Sequence, residues 1–251
     1  MAGGLGAAWG VDSNDLRVER STLDLPNWDA DGFKVALLAD LHCNNKEAAD
    51  RAIRAVQMAK DEKPDCLVLP GDFVNYSRDE SIHSLKSVLR AIEETGIPSF
   101  CTMGNHDYWV DHPQKVLRTL GKSKVKLLRN EAVEFSGVTI FGIDDGILRK
   151  CDHSKLPSKH SRSTLALFHE PDMVDDVDPR ISLMVAGHSH GGEICLPFQI
   201  PIYAPKYGRK YIKGFYPKAK VPLYVTRGIG ISGRVRLFCP PEVSILTLKG
   251  A

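Results

Sequence analysis

The chain has 251 residues, of which 43% are hydrophobic and 25% charged, with 33 basic and 31 acidic side chains. This ordinary composition excludes a disordered, collagen-like or coiled-coil chain, and no apolar run reaches the roughly 18 residues that a membrane-spanning helix requires. The formal net charge of +2 does not predict nucleic-acid binding, although it leaves room for an anionic ligand.

The first part of the chain predicts buried strands that alternate with amphipathic helices. Short apolar runs predict strands at 33–39, 65–69 and 98–102, and apolar residues at helical spacing predict helices at 46–60 and 81–94. Asn44-Asn45 can cap the first helix, and Gly96 ends the second. This alternation is typical of βαβ units and a parallel sheet.

The second half of the chain consists mostly of predicted strands. They lie at 125–128, 132–135, 138–143, 165–168, 183–186, 223–225 and 243–248, with helical patterns at 111–121 and, more weakly, at 172–177. No repeat and no low-complexity linker interrupts the chain. We therefore expect an α/β fold with two sheets in a single domain.

The expected domain covers residues 33–251 and includes a basic and aromatic loop at about 200–221. Residues 1–32 are expected to form an N-terminal extension. Within it, the small, weakly apolar residues 2–10 have no charged segment before them and are too short for a complete signal peptide. They are interpreted either as the remnant of a removed leader or as a tail outside the domain.

Side chains of metal-binding types follow five of the predicted strands. They are Asp40 and His42, Asp72, the Asn105-His106-Asp107 run, His169, and His188 and His190. In open α/β sheets ligands bind beyond the carboxyl ends of the strands, and residues two apart in an extended chain point the same way. The pattern therefore predicts a site for two ions about 3.5–4 Å apart. Mixed oxygen and nitrogen ligands favour Mn, Fe or Zn over Ca or Mg.

In these same positions the chain resembles the calcineurin-like metallophosphoesterase superfamily, and the resemblance covers residues 33–248. The five motifs, in the family's order, are Asp40-x-His42, Gly71-Asp72, Gly104-Asn-His-Asp107, His169 and Gly187-His-Ser-His190. The resemblance implies a two-sheet β-sandwich flanked by helices, a four-layer αββα fold. One departure is Asn75, where related sequences often carry Asp; it is expected to affect metal tuning rather than activity.

The resemblance also implies the role of each site residue. Asp40, His42 and His190 would hold one divalent ion, Asn105, His169 and His188 the other, and Asp72 would bridge them. His106 would stabilise the transition state and protonate the leaving group, with Asp107 orienting its ring. Mn²⁺ is the ion expected to support activity in vitro, with Fe or Zn as alternatives.

The implied activity is hydrolysis of phosphoester or pyrophosphate bonds by a metal-activated hydroxide. Longer stretches resemble a membrane-linked bacterial branch that includes UDP-2,3-diacylglucosamine pyrophosphatases of lipid A synthesis and exported phosphoesterases. These stretches lie at 68–74, 104–109, 187–198, 223–230 (Leu-Tyr-Val-Thr-Arg-Gly-Ile-Gly) and 240–248. The implied substrate is a phosphorylated small molecule or a lipid-linked compound, and a broad-specificity phosphodiesterase or phosphomonoesterase of soluble substrates is the alternative. The implied full-length protein is membrane-associated or exported, although the given residues are expected to be soluble; a cytoplasmic protein is the alternative.

The loop at 200–221 contains six basic residues and no acidic one, with aromatic residues interleaved. One interpretation is a solvated loop with packed tyrosines. The other is a cap that binds an anionic headgroup or contacts an anionic membrane surface peripherally. On the second interpretation, the candidate substrate-binding residues are Tyr207, Arg209, Lys210 and Lys213.

Three other functions are weaker alternatives. Gly187-His-Ser-His-Gly191 fits the G-x-S-x-G pattern of a serine hydrolase with Ser189 as nucleophile, but two prolines follow where a helix is needed, and no histidine follows His190. A non-catalytic metal-binding scaffold would lack ligands that this chain has. A nuclease would need an extended basic and aromatic groove, so no specific nucleic-acid partner is expected. The sequence does not predict the oligomeric state.

Overall fold

The computed structural model describes residues 15–232 and 235–251 and has two six-stranded sheets packed face to face, which confirms the two-sheet α/β prediction. The interpreted leader remnant at residues 2–10 lies outside the described residues. The helices are α1 (Lys46–Asp61), α2 (Asp79–Thr95), α3 (Asn105–Trp109) and α4 (Pro113–Gly121). The strands are β1 (Arg17–Leu25), β2 (Phe33–Leu37), β3 (Cys66–Pro70), β4 (Ser99–Thr102), β5 (Lys126–Leu127), β6 (Glu131–Phe135), β7 (Val138–Gly142), β8 (Thr164–Leu167), β9 (Leu183–Ala186), β10 (Cys195–Leu196), β11 (Ile200–Pro201), β12 (Gly214–Tyr216), β13 (Leu223–Val225) and β14 (Glu242–Gly250).

The first sheet has the strand order β1-β14-β2-β3-β4-β5. Strands β2 to β5 run parallel, whereas β14 is antiparallel to β2 and parallel to β1. Helix α1 begins where the Asn45 side chain accepts a hydrogen bond from the backbone N–H of Ala48 (2.9 Å), as the cap pattern predicts. The apolar faces of α1 and α2 pack on the outer face of this sheet.

The second sheet has the order β12-β13-β9-β8-β7-β6, with parallel strands at its centre and antiparallel strands at both edges. Its inner face shares an apolar core with the first sheet, formed in part by Leu37, Val68, Leu165 and Val185. Its outer face is covered by loops and by a short 3₁₀ helix, Pro171–Asp175, where a longer helical pattern was predicted. The parallel strands of both sheets end at the same edge of the sandwich.

Strand β1 lies within the region predicted as an N-terminal extension. It pairs with β14 along its full length, from Arg17 opposite Glu242 to Leu25 opposite Gly250. Leu23 and Leu25 are buried in the core between the two sheets. Residues 17–25 therefore contribute an edge strand to the sheet, which the apolar-run pattern did not predict.

Candidate metal centre

Loops that follow strands of both sheets bring the predicted ligands together. Asp40 and His42 follow β2, Asp72 follows β3, Asn105 begins α3 after β4, His169 follows β8, and His188 and His190 follow β9. All seven side chains are buried. Two groups of potential ligand atoms form, each with all members within 4.8 Å of one another: Asp40, His42 and His190 in one, and Asp72, His169 and His188 in the other.

Asp72 links these two groups. Its Oδ2 lies 3.1 Å from Nε2 of His169 and 3.9 Å from Nε2 of His42. In the first group, Nε2 of His190 lies 3.0 Å from Nε2 of His42 and 3.7 Å from Oδ1 of Asp40. One carboxylate oxygen between two histidine clusters is the arrangement that a bridging ligand of two cations requires.

Several buried polar atoms of the site have no hydrogen-bond partner among the described residues. They are Nδ2 and Oδ1 of Asn105 and Nδ1 of His42. A buried polar atom without a partner is costly, and most such atoms in proteins are satisfied. These atoms therefore fit a centre that holds metal ions, in agreement with the nitrogen and oxygen donor set.

Hydrogen bonds fix which ring nitrogen of two histidines can bind a metal. Nδ1 of His169 donates to the carbonyl of Pro70 (2.7 Å), so Nε2 is the nitrogen that can bind a metal once it is deprotonated. Nε2 of His188 donates to the carbonyl of Lys206 (2.9 Å), which leaves Nδ1 free. A carbonyl oxygen only accepts, so both tautomers are set by the backbone.

Burial and neighbouring charge shift the pKa values of the ligands. Burial lowers the pKa of His42 to about 3 and that of His188 to about 4, so both rings are neutral and able to coordinate. Burial raises the pKa of Asp40 to about 7, although the charge of His169 opposes the shift. Burial acts against the charge of His169 too, but the negative charges of Asp72 and Asp40 prevail and raise its pKa.

His106 lines the cavity that opens onto these ligands. The cavity has a volume of about 480 Å³, and its wall includes Trp109, Tyr203 and Tyr207. The ring of His106 is half-buried, 5.2 Å from the ring of His42, while its backbone N–H donates to Oδ1 of Asp72 (3.0 Å). The side chain is therefore positioned to reach a molecule bound in the cavity.

Asp107 has a different set of contacts from the one expected. Its carboxylate accepts four backbone hydrogen bonds, from Asp72, Phe73, Val74 and Gly104, at 2.8–3.2 Å. None of the hydrogen bonds described for residues 15–232 and 235–251 joins it to the ring of His106. These bonds fasten the loop after β3 to the start of α3, and an influence of Asp107 on the ring of His106 stays a prediction.

Only one of the four candidate substrate-binding residues lines the cavity. Tyr207 lines the cavity, whereas Arg209, Lys210 and Lys213 do not appear in its wall. The Lys210 ammonium pairs with Asp175 (2.7 Å), Nε of Arg209 donates to Ala204, and Lys213 donates to Gln199. Because these three cations are engaged elsewhere, contact between them and a substrate stays a prediction.

Arg236 is a site residue that the sequence analysis missed. It is fully buried, and its guanidinium donates to the carbonyls of Arg227 (2.7 Å), Gly230 (2.7 Å) and His190 (3.2 Å). The turn that it holds donates from Gly230 N–H to the carbonyl of Asp40 (2.6 Å). The only sequence signal at this turn was the Arg-Gly-Ile-Gly stretch at 227–230. It did not predict the contact between the turn and Asp40, because these two segments are remote in sequence.

Ser189 is not arranged as a nucleophile. It is 1% exposed, and its hydroxyl donates to the carbonyl of Ile212. The chain after it forms a short 3₁₀ turn, His190–Gly192, instead of the helix that a nucleophile elbow feeds. The G-x-S-x-G match is therefore a feature of the metal-ligand loop.

Comparisons with known proteins point to one family. The calcineurin-like phosphoesterase family pattern matches residues 33–192. The chain is 30% identical to "Phosphodiesterase YaeI" of Escherichia coli K12, over 86% of this chain and 82% of the relative. It is 25% identical to "UDP-2,3-diacylglucosamine pyrophosphatase LpxG" of Chlamydia muridarum, over 94% of this chain and 90% of the relative. Among solved structures, the sulfate thiohydrolase SoxB of Thermus thermophilus matches with a TM-score of 0.50 at 12% identity, over 86% of this chain and 58% of that one, and shares the fold.

Proposed function

Because the chain belongs to the calcineurin-like phosphoesterase family, we propose that it hydrolyses phosphoester or pyrophosphate bonds at a centre of two divalent ions. One ion would be held by Asp40, His42 and His190, and the other by Asn105, His169 and His188. The observation that carries this proposal is the position of Asp72, whose Oδ2 lies between His169 and His42 at 3.1 and 3.9 Å. When bound, such ions polarise phosphoryl oxygens and lower the pKa of water.

The protein's own residues supply orientation and a proton. Two carboxylates, Asp40 and Asp72, leave a pair of divalent ions with net positive charge, which attracts a phosphate. His106, in the cavity wall, donates a proton to the leaving oxygen as the bond to phosphorus breaks. Trp109 and Tyr203 contribute aromatic surface to the wall of the same cavity.

A substrate panel tests this proposal. Protein stripped with a chelator and then supplied with Mn²⁺ is assayed on an aryl phosphodiester, an aryl phosphomonoester and UDP-2,3-diacylglucosamine. We expect no turnover before Mn²⁺ is added and turnover of at least one substrate afterwards; Fe or Zn would serve as alternative ions. Ser189→Ala is the matched control and keeps its activity. Failure of the metal-loaded protein on all three substrates would refute the proposal.

The substrate favoured by the panel decides between two candidates. A lipid-linked pyrophosphate such as UDP-2,3-diacylglucosamine is supported by the 25% identity to a pyrophosphatase of that compound. A soluble phosphodiester is supported by the 30% identity to a phosphodiesterase. Either compound presents a phosphoryl group to the same pair of ions.

A further inference from the structure

A small hairpin beside the cavity presents an apolar face to solvent. It consists of β10, β11 and the turn between them. Alternation along the strands turns Cys195 toward the protein and the neighbouring residues outward. The outward residues are Ile194, Leu196, Ile200 and Ile202, which are 43–61% exposed, and Phe198 at the tip, which is 95% exposed. The solvent face of an antiparallel pair is normally polar, so this aliphatic face indicates a contact surface.

The tip of the hairpin is held in a fixed conformation. Phe198 and Gln199 have φ values of 65° and 58°, in the left-handed region that non-glycine residues rarely adopt. Lys213 donates to the carbonyl and to the side-chain oxygen of Gln199, and Arg227 donates to the same side chain (3.3 Å). These bonds to the body of the protein offset the strain and keep Phe198 pointing outward.

The hairpin begins and ends at the cavity. Glu193 precedes it and Tyr203 follows it, and both residues line the cavity wall. Trp109, which is 55% exposed, lines the same wall. The apolar face therefore borders the opening through which a substrate would reach the metal ligands.

Positive charge lies next to this apolar face. Lys206 lines the cavity, and both it and Arg209 are exposed. No acidic residue occurs between residues 200 and 221. Exposed apolar side chains flanked by basic ones bind surfaces of anionic lipid, where the apolar groups enter the acyl region and the cations meet phosphate headgroups.

A protein partner fits the hairpin less well. Each side of a stable protein interface contributes roughly 20–30 residues. The outward face of this hairpin offers five apolar residues, two of them in strands of two residues each and three beside or between those strands. A narrow projection of this kind suits insertion into a fluid layer better than it suits a broad complementary surface.

We propose that the hairpin at residues 194–202 inserts into the surface of an anionic membrane and brings the cavity to the level of the lipid headgroups. This inference rests on the proposed function and extends it, because it assigns to the site a phosphorylated headgroup carried by a lipid. Phe198 and Ile200 are the anchoring side chains, and Lys206 lies at the headgroup level.

Vesicle binding tests this inference with the full chain. Co-sedimentation is measured with vesicles of phosphatidylcholine alone and of phosphatidylcholine mixed with phosphatidylglycerol. We expect the protein to bind the anionic vesicles, the double variant Phe198→Ser/Ile200→Ser to bind at least about tenfold less, and binding to neutral vesicles to be weaker. Tyr76→Ser is the matched control, since Tyr76 is an exposed aromatic outside the cavity wall, and it binds like the unchanged protein.

A fluorescence measurement tests membrane insertion without relying on the stability of the double serine variant. Phe198→Trp is expected to gain an emission that brominated acyl chains quench, whereas Tyr76→Trp gains one that they do not. Equal quenching in both variants, equal binding by the hairpin variant and the unchanged protein, or equal binding to neutral and anionic vesicles would each overturn the inference. So would a hairpin-dependent dimer in place of vesicle binding.

Turnover of a soluble aryl phosphodiester by the same variants separates the two proposals. We expect the hairpin variant to keep this turnover while it loses vesicle binding. If the unchanged protein lacks turnover on every substrate, the proposed function fails, and the assignment of a headgroup substrate fails with it. If turnover is present and vesicle binding is absent, the inference about the hairpin fails alone.

Discussion

Asp40, His42, Asp72, His188 and His190 all have φ values between 45° and 67°, in the left-handed region. Each such residue costs about 1–2 kcal/mol relative to an ordinary backbone. The conformations persist because neighbouring loops hold them: Asp40 N–H donates to Gly71, and His42 N–H donates to Asp72, at 3.2 and 3.1 Å. The side chains therefore reach the site from strained backbone that the surrounding loops fix in advance.

His106 is the proposed proton donor, and a single substitution tests this role. His106→Ala removes the proton donor and leaves all seven candidate ligands in place, so we expect turnover to fall by about 10²–10⁴-fold. Metal content, measured by elemental analysis, should not change. A variant that loses its metal together with its activity would contradict the role assigned to His106.

Metal affinity should depend on pH through single residues. Asp40 has a pKa of about 7 and must lose its proton to coordinate, and the raised pKa of His169 acts in the same direction. His42 and His188, with pKa values of about 3 and 4, stay neutral in this range. Affinity for Mn²⁺, measured by titration calorimetry, should therefore rise from pH 6 to pH 8. Affinity that is constant across this range would show that Asp40 and His169 are already deprotonated.

Contacts between elements join the loops after β3 and β4 into one unit. Gly71 has a φ of 85°, and a Cβ atom there would lie 2.4 Å from the backbone nitrogen of Gly104. The Asp107 carboxylate closes the same junction with its four backbone hydrogen bonds. Asp72 and Asn105 are therefore positioned by one shared junction, so a change in either loop displaces both Asn105 and Asp72, the residue that links the two clusters.

Asp107→Asn tests this junction. The amide replaces one acceptor oxygen by a donor that faces backbone N–H groups, so we expect a loss of at least about 2 kcal/mol in the free energy of unfolding and weaker Mn²⁺ binding. Urea unfolding and metal titration measure both quantities. Asp79→Asn, at a 98% exposed side chain, is the control and should change neither. If only the pH profile of turnover changed, Asp107 would act on His106 after all.

Elements with a strong local pattern could be predicted from the sequence. Helix α1 was predicted almost to the residue because its apolar period and its Asn45 cap are both local. Strand β1 was missed because charged residues alternate along it, and its partner strand lies at the other end of the chain. The hairpin residues have a sequence typical of strands. The sequence does not show, however, which face of a strand stays exposed to solvent in the folded protein.

The same distinction applies to the site. The ligand positions could be predicted because each follows a strand, and the parallel strands end at one edge. The contacts of Asp107 and Arg236 could not be predicted, since they join segments that are remote in sequence. The contacts of Lys210 with Asp175 and of Lys213 with Gln199 were likewise not predicted, because no spacing rule connects these residues.

At the scale of the whole molecule, the site lies where the two sheets meet. Asp40, Asp72 and Asn105 come from the first sheet, and His169, His188 and His190 come from the second. Each cluster contains ligands from both sheets. Bound ions would therefore tie the two halves of the sandwich together. No helix among residues 15–232 and 235–251 is long and apolar enough to cross a membrane.

Removal of the metal should lower the stability of the whole fold. Without cations, the buried carboxylates of Asp40 and Asp72 have only histidines and backbone N–H groups as partners. Ions that bind only the folded chain stabilise it by mass action. We expect chelator treatment to lower the Tm by several degrees and added Mn²⁺ to restore it, as measured by scanning calorimetry. An unchanged Tm would indicate that the ions contribute to chemistry alone.

The position of β14 has a consequence for how the protein is made. This strand lies between β1 and β2, which leave the ribosome before the other strands of the sheet, and the turn that covers Asp40 precedes it by only a few residues. The first sheet cannot close until β14 has been synthesised, and the turn that covers Asp40 is synthesised only shortly before it. Loading with metal is therefore expected to follow translation, so the ions available in the compartment where folding finishes would decide which of them the enzyme acquires.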